Sequence, residues 1–243
     1  MHPIIIRVSD SQALLMTNEA MRKATTSILA TLVASLVAAA GAIGSAHAQD
    51  AAAGEKKAAM CIGCHGIVGY QASFPEIHKV PMIAGQGAKY IVSSLNAYKK
   101  GERRHPTMRG IAGSLSDTDM ADLAAYYEKQ NAQIVKPVAD TPAAAPTAEV
   151  AALLTKGACS SCHGASFSKP IDPSYPKLGG QHADYLLVAL KSYKVEKNAK
   201  VGRNNAIMAG MAKQYTNAEL KLMANYLSSL EGNLKTVPQS RFR

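Results

Sequence analysis

The chain has 243 residues and a formal net charge of +10 at pH 7. A basic chain can bind nucleic acid, but this one carries no nucleic-acid-binding motif and begins with a segment typical of exported proteins, so we exclude nucleic acid as a partner. Its four cysteines form two closely spaced pairs, which indicates two local sites rather than one disulfide framework.

Residues 1–48 have the organisation of a cleaved signal peptide. A short basic segment at Met21 precedes an apolar, Ala-rich stretch, and Ala46-His-Ala48 has the small side chains of a cleavage site. We predict that translation starts at Met21 and that the mature protein begins at Gln49, in the periplasm. The alternative is an uncleaved membrane anchor, but the apolar stretch is short for a membrane span. No other long apolar stretch follows, so we expect no stable membrane insertion.

The run Cys61-Ile-Gly-Cys64-His65 begins the first half of the mature chain. Residues three apart lie on one face of a helix, so both thiols can bond to the vinyl groups of a single porphyrin. The histidine that follows then lies beneath the iron as its proximal axial ligand. The run predicts a covalently attached c-type haem, held by Cys61 and Cys64 and ligated by His65.

Other sites also contain a Cys-x-x-Cys pair, namely zinc sites, thiol–disulfide redox centres and short structural disulfides. A four-cysteine zinc site would join pairs that lie 98 residues apart, and it gives no reason for a histidine after each pair. A thioredoxin-like centre expects a preceding strand in a βαβ unit, whereas the flanking residues are Ala-rich and helical in pattern. We therefore favour haem.

Two further helices are predicted in each half after the haem-attachment run. The earlier one follows a Gly-Gln turn and has apolar residues at i, i+4 and i+7. These residues are Ile91, Leu95 and Tyr98 in the first half and Leu186, Leu190 and Tyr193 in the second. The later helix begins at Ser116 or Thr216, and Thr216-Asn-Ala-Glu219 is a capping box. Strand alternation is absent, so the predicted fold is all-α, with each half wrapped around one haem.

A segment rich in proline and alanine, residues 136–147, separates the two halves. Its three prolines and its lack of large apolar residues beyond Val138 are typical of a semi-rigid linker. We predict a first haem domain over 49–135 and a second over 148–243. Each has fewer than 100 residues, a size at which a protein-only core is modest, so we expect the porphyrin to form much of the apolar interior.

The second half repeats the first, which allows residues to be compared within one chain. Cys159-Ser-Ser-Cys162-His163 recurs at an offset of 98 residues and predicts a second covalent haem with His163 as axial ligand. Pro81 and Pro176 also align. A backbone carbonyl beside a rigid proline can hold the other ring nitrogen of an axial histidine, and we predict this role for both prolines. Simple stiffening of the loop is the alternative.

The sixth iron ligand decides between electron transfer and catalysis, because a Met thioether closes the site whereas an open position allows a substrate to bind. Of ten methionines, only Met108 and Met208 align with each other outside the signal segment. We predict both as axial ligands, in loops before the last helix of each half. Met211 is the main alternative in the second half. His105 competes for the first iron, although its counterpart, Asn205, cannot take that role.

The positive charge is concentrated in the second half. Residues 49–135 carry ten basic and eight acidic side chains, whereas residues 148–243 carry 13 basic and six acidic ones. A basic surface attracts an acidic partner over long range and in a salt-sensitive manner, so we expect redox partners with an acidic docking face. The candidate docking residues are Lys191, Lys194, Lys197 and Lys200.

In the order of its motifs, the chain resembles class I cytochromes c, and its two linked halves resemble the dihaem cytochrome c4 family. The resemblance is carried by the Cys-x-x-Cys-His runs, the Pro-x-Leu/Ile-x-Gly-Gln turns and the methionines, and it covers nearly the whole mature chain. The family typically has Asp-Pro-Met-Met before the third helix. This chain has His105-Pro-Thr-Met108 and Asn205-Ala-Ile-Met208, so it keeps only the last methionine.

This resemblance implies a periplasmic electron carrier, not an enzyme, that passes single electrons from a quinol-oxidising respiratory complex to a terminal oxidase. One alternative is a cytochrome subunit of a periplasmic dehydrogenase that oxidises sulfide, thiosulfate or an alcohol. A dihaem peroxidase would need an open haem site, and the paired methionines argue against it. We also expect the two domains to pack with their haems close enough to exchange electrons.

Overall fold

A computed structural model of the chain describes residues 49–130, 137–142 and 144–239. The predicted signal peptide, residues 1–48, lies outside the described residues. The described parts of both halves belong to one compact unit. No helix in these parts of the chain is long and apolar enough to cross a membrane.

Helices dominate both halves. The helices of the first half are α1 (Ala51–Lys57), α2 (Ala59–His65), α3 (Ala88–Lys100), α4 (Pro106–Gly113) and α5 (Asp117–Lys129). Those of the second half are α6 (Ala148–Lys156), α7 (Ser160–His163), α8 (Ala183–Ser192), α9 (Ala206–Lys213) and α10 (Asn217–Ser229). The strands have two residues each, and they are β1 (Gln71–Ala72), β2 (His78–Lys79), β3 (Arg103–Arg104) and β4 (Gly202–Arg203). These short strands were not predicted, but the helical architecture matches the expectation.

The last helix of each half begins at a capping box. In α10 the Thr216 hydroxyl accepts from the Glu219 N–H, while the Glu219 carboxylate accepts from the Thr216 N–H. The sequence predicted a box only there. In α5, however, Ser116 and Asp119 form the same reciprocal pair, because the shorter carboxylate still reaches the Ser116 N–H at 3.0 Å. Both final helices are therefore fixed at their first turn.

These last helices contribute several of the most deeply buried apolar side chains. Met120 and Leu123 of α5 and Leu220 of α10 are at most 2% exposed. In the first half α1 crosses α5 at Gly54, where a Cβ atom would lie 2.1 Å from the carbonyl oxygen of Asp122. In the second half Leu153 of α6 packs into the cluster that contains Leu220. The crossing in the first half therefore requires glycine.

The two halves meet along an antiparallel pairing of β3 with β4, in which Arg103 is opposite Arg203. The Arg104 side chain extends this contact, because its guanidinium donates to the carbonyl oxygens of Val195 and Val201 in the second half. An ion pair between Lys191 and Glu76 adds a further link at 2.7 Å. The two halves therefore pack against each other, and the closeness of their haems stays a prediction.

Candidate haem sites

The first haem-attachment run lies on α2, which ends at His65. The helix places Cys61 and Cys64 one turn apart, as the motif requires, with the histidine at its C-terminus. Both cysteine side chains are partly exposed.

The ring of His65 is fixed by a hydrogen bond of 2.8 Å between its Nδ1 and the carbonyl oxygen of Pro81. A carbonyl can only accept, so Nδ1 must carry the proton and Nε2 must keep its lone pair. Burial lowers the pKa of His65 even though the bond to Pro81 opposes that shift, so the ring stays neutral at neutral pH. Nε2 is therefore the nitrogen available to a metal ion.

His163 has the same arrangement in the second half. Its Nδ1 lies 3.2 Å from the carbonyl oxygen of Pro176, and burial lowers its pKa. The local backbone differs, however, because α7 is only four residues long. Gly164 follows it at φ 76°, where a Cβ atom would lie 2.0 Å from the Lys169 carbonyl oxygen. This tight turn folds the following segment over the histidine, which is 9% exposed.

Met108 and Met208 lie in the first turn of α4 and of α9, so the prediction that they lie in loops is wrong. Each helix begins at a polar residue whose side chain accepts from the methionine N–H. The acceptors are His105 Nδ1 at 3.4 Å and Asn205 Oδ1 at 2.9 Å. A polar cap followed by Pro106 was the sequence signal for the first of these helices. Both methionine side chains are half-buried.

The alternative ligands have other contacts in the structure. His105 accepts at Nδ1 as the helix cap, and its Nε2 lies 3.3 Å from the Phe74 carbonyl oxygen, to which it can only donate. Both ring nitrogens of His105 are thus engaged in the described structure. Met211 lies one turn after Met208 in α9, with its sulfur 3.9 Å from Gln214 Nε2.

Between the halves lies an arginine–tyrosine cluster that the sequence analysis missed. It consists of Tyr90, Tyr98, Arg103, Tyr185, Tyr193 and Arg203. Arg103 donates to the Tyr90 hydroxyl at 3.1 Å, and Arg203 donates to the Tyr185 hydroxyl at 3.0 Å. Each guanidinium also lies over the ring of its second tyrosine, 5.6 Å from the centre of Tyr98 and 5.5 Å from that of Tyr193. The repeat could have indicated these positions, because the tyrosines pair at an offset of 95 residues and the arginines at an offset of 100.

Charge and burial in this cluster shift the pKa values of two of its tyrosines. Burial alone would raise the pKa of Tyr90, but the guanidinium groups of Arg103 and Arg203 outweigh burial and lower that pKa to about 8. Burial raises the pKa of Tyr185 to about 12. The cluster therefore presents two cations and several hydroxyl groups, which are donors that suit carboxylate groups.

These residues fit a covalently attached haem. Each half offers two thiols followed directly by a neutral histidine. A backbone carbonyl holds the Nδ1–H of this histidine, which leaves the lone pair on Nε2 free. The second half satisfies the same chemistry with a shorter helix. The arginine–tyrosine cluster adds donors of the kind that the two propionate groups of a haem accept from.

Comparison with known proteins agrees with this chemistry. The cytochrome c family model matches residues 51–130 and 147–231, once in each half. The chain is 32% identical to cytochrome c4 of Pseudomonas aeruginosa over 202 residues, which cover 82% of this chain and 98% of that protein. The chain belongs to the cytochrome c4 family.

A solved structure and a second relative extend the comparison. The crystal structure of reduced recombinant cytochrome c4 from Pseudomonas stutzeri superposes with a TM-score of 0.54 at 28% identity, covering 76% of this chain and all of that one. A thiosulfate dehydrogenase electron acceptor of Thiomonas intermedia is 30% identical, with 79% of this chain and 88% of that protein covered.

Membership of this family confirms several predictions. The fold is two tandem cytochrome c domains, and the cofactors are two covalently attached c-type haems. The protein is a periplasmic dihaem electron carrier with redox protein partners, not an enzyme.

Proposed function

We propose that eight residues form the two haem sites. They are Cys61, Cys64, Cys159 and Cys162 as thioether attachment points, and His65, Met108, His163 and Met208 as axial ligands. The observation that carries the proposal is the pair of hydrogen bonds from Nδ1 of His65 and of His163 to the carbonyls of Pro81 and Pro176, which leave both Nε2 atoms with free lone pairs. The predicted limits of the signal peptide, linker and domains remain part of this proposal.

The axial residues would suit a carrier because hydrogen bonds fix the position of each one. When bound, the haem supplies an iron that alternates between two oxidation states by gaining or losing one electron. The bond to Pro81 or Pro176 keeps the imidazole plane and tautomer fixed during that change. The caps at His105 and Asn205 likewise fix the first turns of the helices that carry Met108 and Met208.

We infer that the physiological role is transfer of single electrons from a quinol-oxidising complex to a terminal oxidase. Two closed sites with methionine ligands favour fast transfer over chemistry on small molecules. The test is stopped-flow mixing of the reduced or oxidised protein with membranes that contain each complex. Reduction by quinol through the first complex and oxidation by the terminal oxidase, both within milliseconds, are expected.

A second role has a specific observation in its favour, because one relative is named a thiosulfate dehydrogenase electron acceptor. We propose acceptance of electrons from a periplasmic dehydrogenase as the alternative function. The two roles differ in their electron donor, so the same stopped-flow experiment separates them when a thiosulfate dehydrogenase with thiosulfate replaces the quinol complex. Rapid reduction by the dehydrogenase alone, with no reduction by the quinol complex, would support this alternative.

Docking of an acidic partner is proposed to use Lys197 and Lys200. Of the four lysines considered from the sequence, Lys191 is paired with Glu76, and Lys194 donates to the Tyr215 carbonyl at 2.7 Å. Both therefore have roles within the protein. The side chains of Lys197 and Lys200 are exposed and, among the described residues, donate to no protein acceptor, so their charges remain available to a partner.

A further inference from the structure

Two glutamines make reciprocal hydrogen bonds between the halves. Gln181 accepts from the Met82 N–H through Oε1 at 3.0 Å and donates to the Met82 carbonyl through Nε2 at 2.9 Å. Gln86 does the same to Lys177 from the other side, at 2.9 Å and 3.1 Å. Each glutamine is 4% exposed. The two contacts are thus equivalent and buried.

These contacts involve the same peptide groups that hold the predicted axial histidines. The Pro81 carbonyl, which accepts from His65, belongs to the same amide as the Met82 N–H, which donates to Gln181. In the other half the Pro176 carbonyl accepts from His163, and the next N–H donates to Gln86. A continuous hydrogen-bonded chain therefore leads from each histidine to a glutamine of the opposite half.

Each glutamine is also anchored to its own half. Gly85, directly before Gln86, has a φ of 84° and donates its N–H to the Tyr127 carbonyl of α5 at 2.7 Å. Gly180, directly before Gln181, has a φ of 77° and donates to the Leu227 carbonyl of α10 at 2.9 Å. A positive φ favours glycine, so the Gly-Gln turn directs each glutamine across the interface from a fixed point.

We propose that Gln86 and Gln181 are positioning residues that tune the reduction potential of the haem in the opposite half. When Gln181 accepts from the Met82 N–H, it polarises that amide and makes the Pro81 oxygen a stronger acceptor for His65. A stronger bond at Nδ1 makes the imidazole a more basic ligand, which favours the ferric state. Gln86 acts in the same way on His163. The proposal rests on the proposed axial ligands.

The test is a redox titration of the whole dihaem protein. The NMR signals of the Met108 and Met208 methyl groups monitor the titration, so that the potential of each haem is measured separately. In Gln181→Leu we expect the potential of the first haem to rise while that of the second stays unchanged. In Gln86→Leu we expect the reverse. The shift should correspond to a threefold to tenfold change in the equilibrium constant, tenfold being about 59 mV for one electron.

Arg104→Gln is the matched control. It removes bonds from Arg104 to Val195 and Val201 across the same interface, but it does not touch the amides after Pro81 and Pro176. A general loosening of the interface would therefore appear in this variant too. Equal shifts of both haems in Gln181→Leu, a shift confined to its own half, or the same shift in Arg104→Gln would overturn the proposal.

Gln181→Glu is a second variant that tests the proposal if Gln181→Leu does not fold. Its carboxylate keeps an acceptor for the Met82 N–H and adds negative charge, so the potential of the first haem should fall instead of rising. No change there would also overturn the proposal. An error in the ligand assignment would give a different result from an error in this proposal. In that case Met108→Ala and Met208→Ala would leave the haem-shifted methyl signals and the absorption spectra of both haems unaltered.

Discussion

The two halves are most alike in the paired side chains that join them and differ most in the segment between the histidine and the proline that holds it. Gln86 corresponds to Gln181 and Arg103 to Arg203, and each pair makes equivalent contacts. By contrast, the histidine and the proline that holds it are separated by 16 residues in the first half and by 13 in the second. The shared interface therefore conserves the paired glutamines and arginines, whereas the segment between histidine and proline differs in length even though Glu76 of the first half contacts the second half.

The segments between histidine and proline produce two different surfaces. In the first half the segment forms the β1–β2 hairpin and exposes several large apolar residues. These are Ile67, Val68, Tyr70, Phe74 and Ile77. In the second half the shorter segment turns inward and buries Ser166, Phe167 and Ser168, with Ile171 exposed. The first half thus presents an apolar rim beside its haem-attachment helix, whereas the second half combines a smaller rim with the excess of positive charge.

The largest effect that separates the halves is expected from loss of one haem. Replacing Cys61 and Cys64 with alanine should leave one haem per chain and unfold the first half, because we expect the porphyrin to form much of its interior. Haem content and limited proteolysis measure this result. The matched variant with Cys159 and Cys162 replaced should affect the second half instead. A first half that resists protease without its haem would contradict the expectation.

The helix crossing at Gly54 provides the next largest effect. Gly54→Ala should lower the free energy of unfolding by about 1–3 kcal/mol, because the added methyl group would overlap the backbone of Asp122. Gly110→Ala in α4 is the control, since its Cβ atom would meet nothing within 4 Å. That change should raise stability by about 0.5–1 kcal/mol, because alanine favours the helix. Denaturant unfolding of the holoprotein measures both, and equal effects would show that the crossing is not tight.

Acid should lower the stability of the first half, because it protonates the two carboxylates that form ion pairs with Lys57. The hydrogen bond from Lys57 lowers the pKa of both Asp119 and Asp122. Carboxylates with a lowered pKa stabilise the folded state above their unfolded pKa of about 4, and this contribution is lost as the pH falls below it. In the second half Leu222 replaces Asp122, so the three-residue ion cluster is absent from that position.

Lys57→Met should therefore flatten the acid dependence of stability in the first half. Thermal unfolding of the holoprotein between pH 3 and pH 7 provides the measurement, with Lys56→Met as a neighbouring control on the same helix. An unchanged slope in Lys57→Met, or an equal change in Lys56→Met, would show that the cluster contributes nothing specific.

The smallest effect is expected at the surface. Changing Lys197 and Lys200 together to glutamine should slow electron exchange with an acidic partner severalfold at low salt and make the rate less sensitive to ionic strength. Lys191→Gln, which breaks the ion pair with Glu76, is the control for a change inside the protein. Rates that depend on salt as strongly as in the wild type would exclude these lysines from docking.

Features that depend on short spacing could be predicted from the sequence. The two Cys-x-x-Cys-His runs, the amphipathic helices at Ile91 and Leu186, and the capping box at Thr216 are all local patterns, and the structure contains the helices and the box as expected. The repeat added long-range information, because it singled out Met108 and Met208 among ten methionines.

Features that depend on contact between the halves could not be predicted. Strands β3 and β4 have two residues each, which is too short for a period of two to be recognised. The bond from Gln181 to Met82 joins residues 99 positions apart. No local pattern in the sequence marks such a partner. The helices that carry Met108 and Met208 were missed for a different reason, since one or two turns give too few residues for a helical period.

We propose that both haems have a methionine ligand and form closed electron-transfer sites. The absorption spectrum of the ferric protein tests this ligation. The wild type, Met108→Ala and Met208→Ala should be compared after export in a host that attaches c-type haem. We expect two haems per chain and a weak far-red band, typical of methionine ligation, that falls by about half in each variant. A high-spin haem in the wild type, or a band that survives both substitutions, would contradict it.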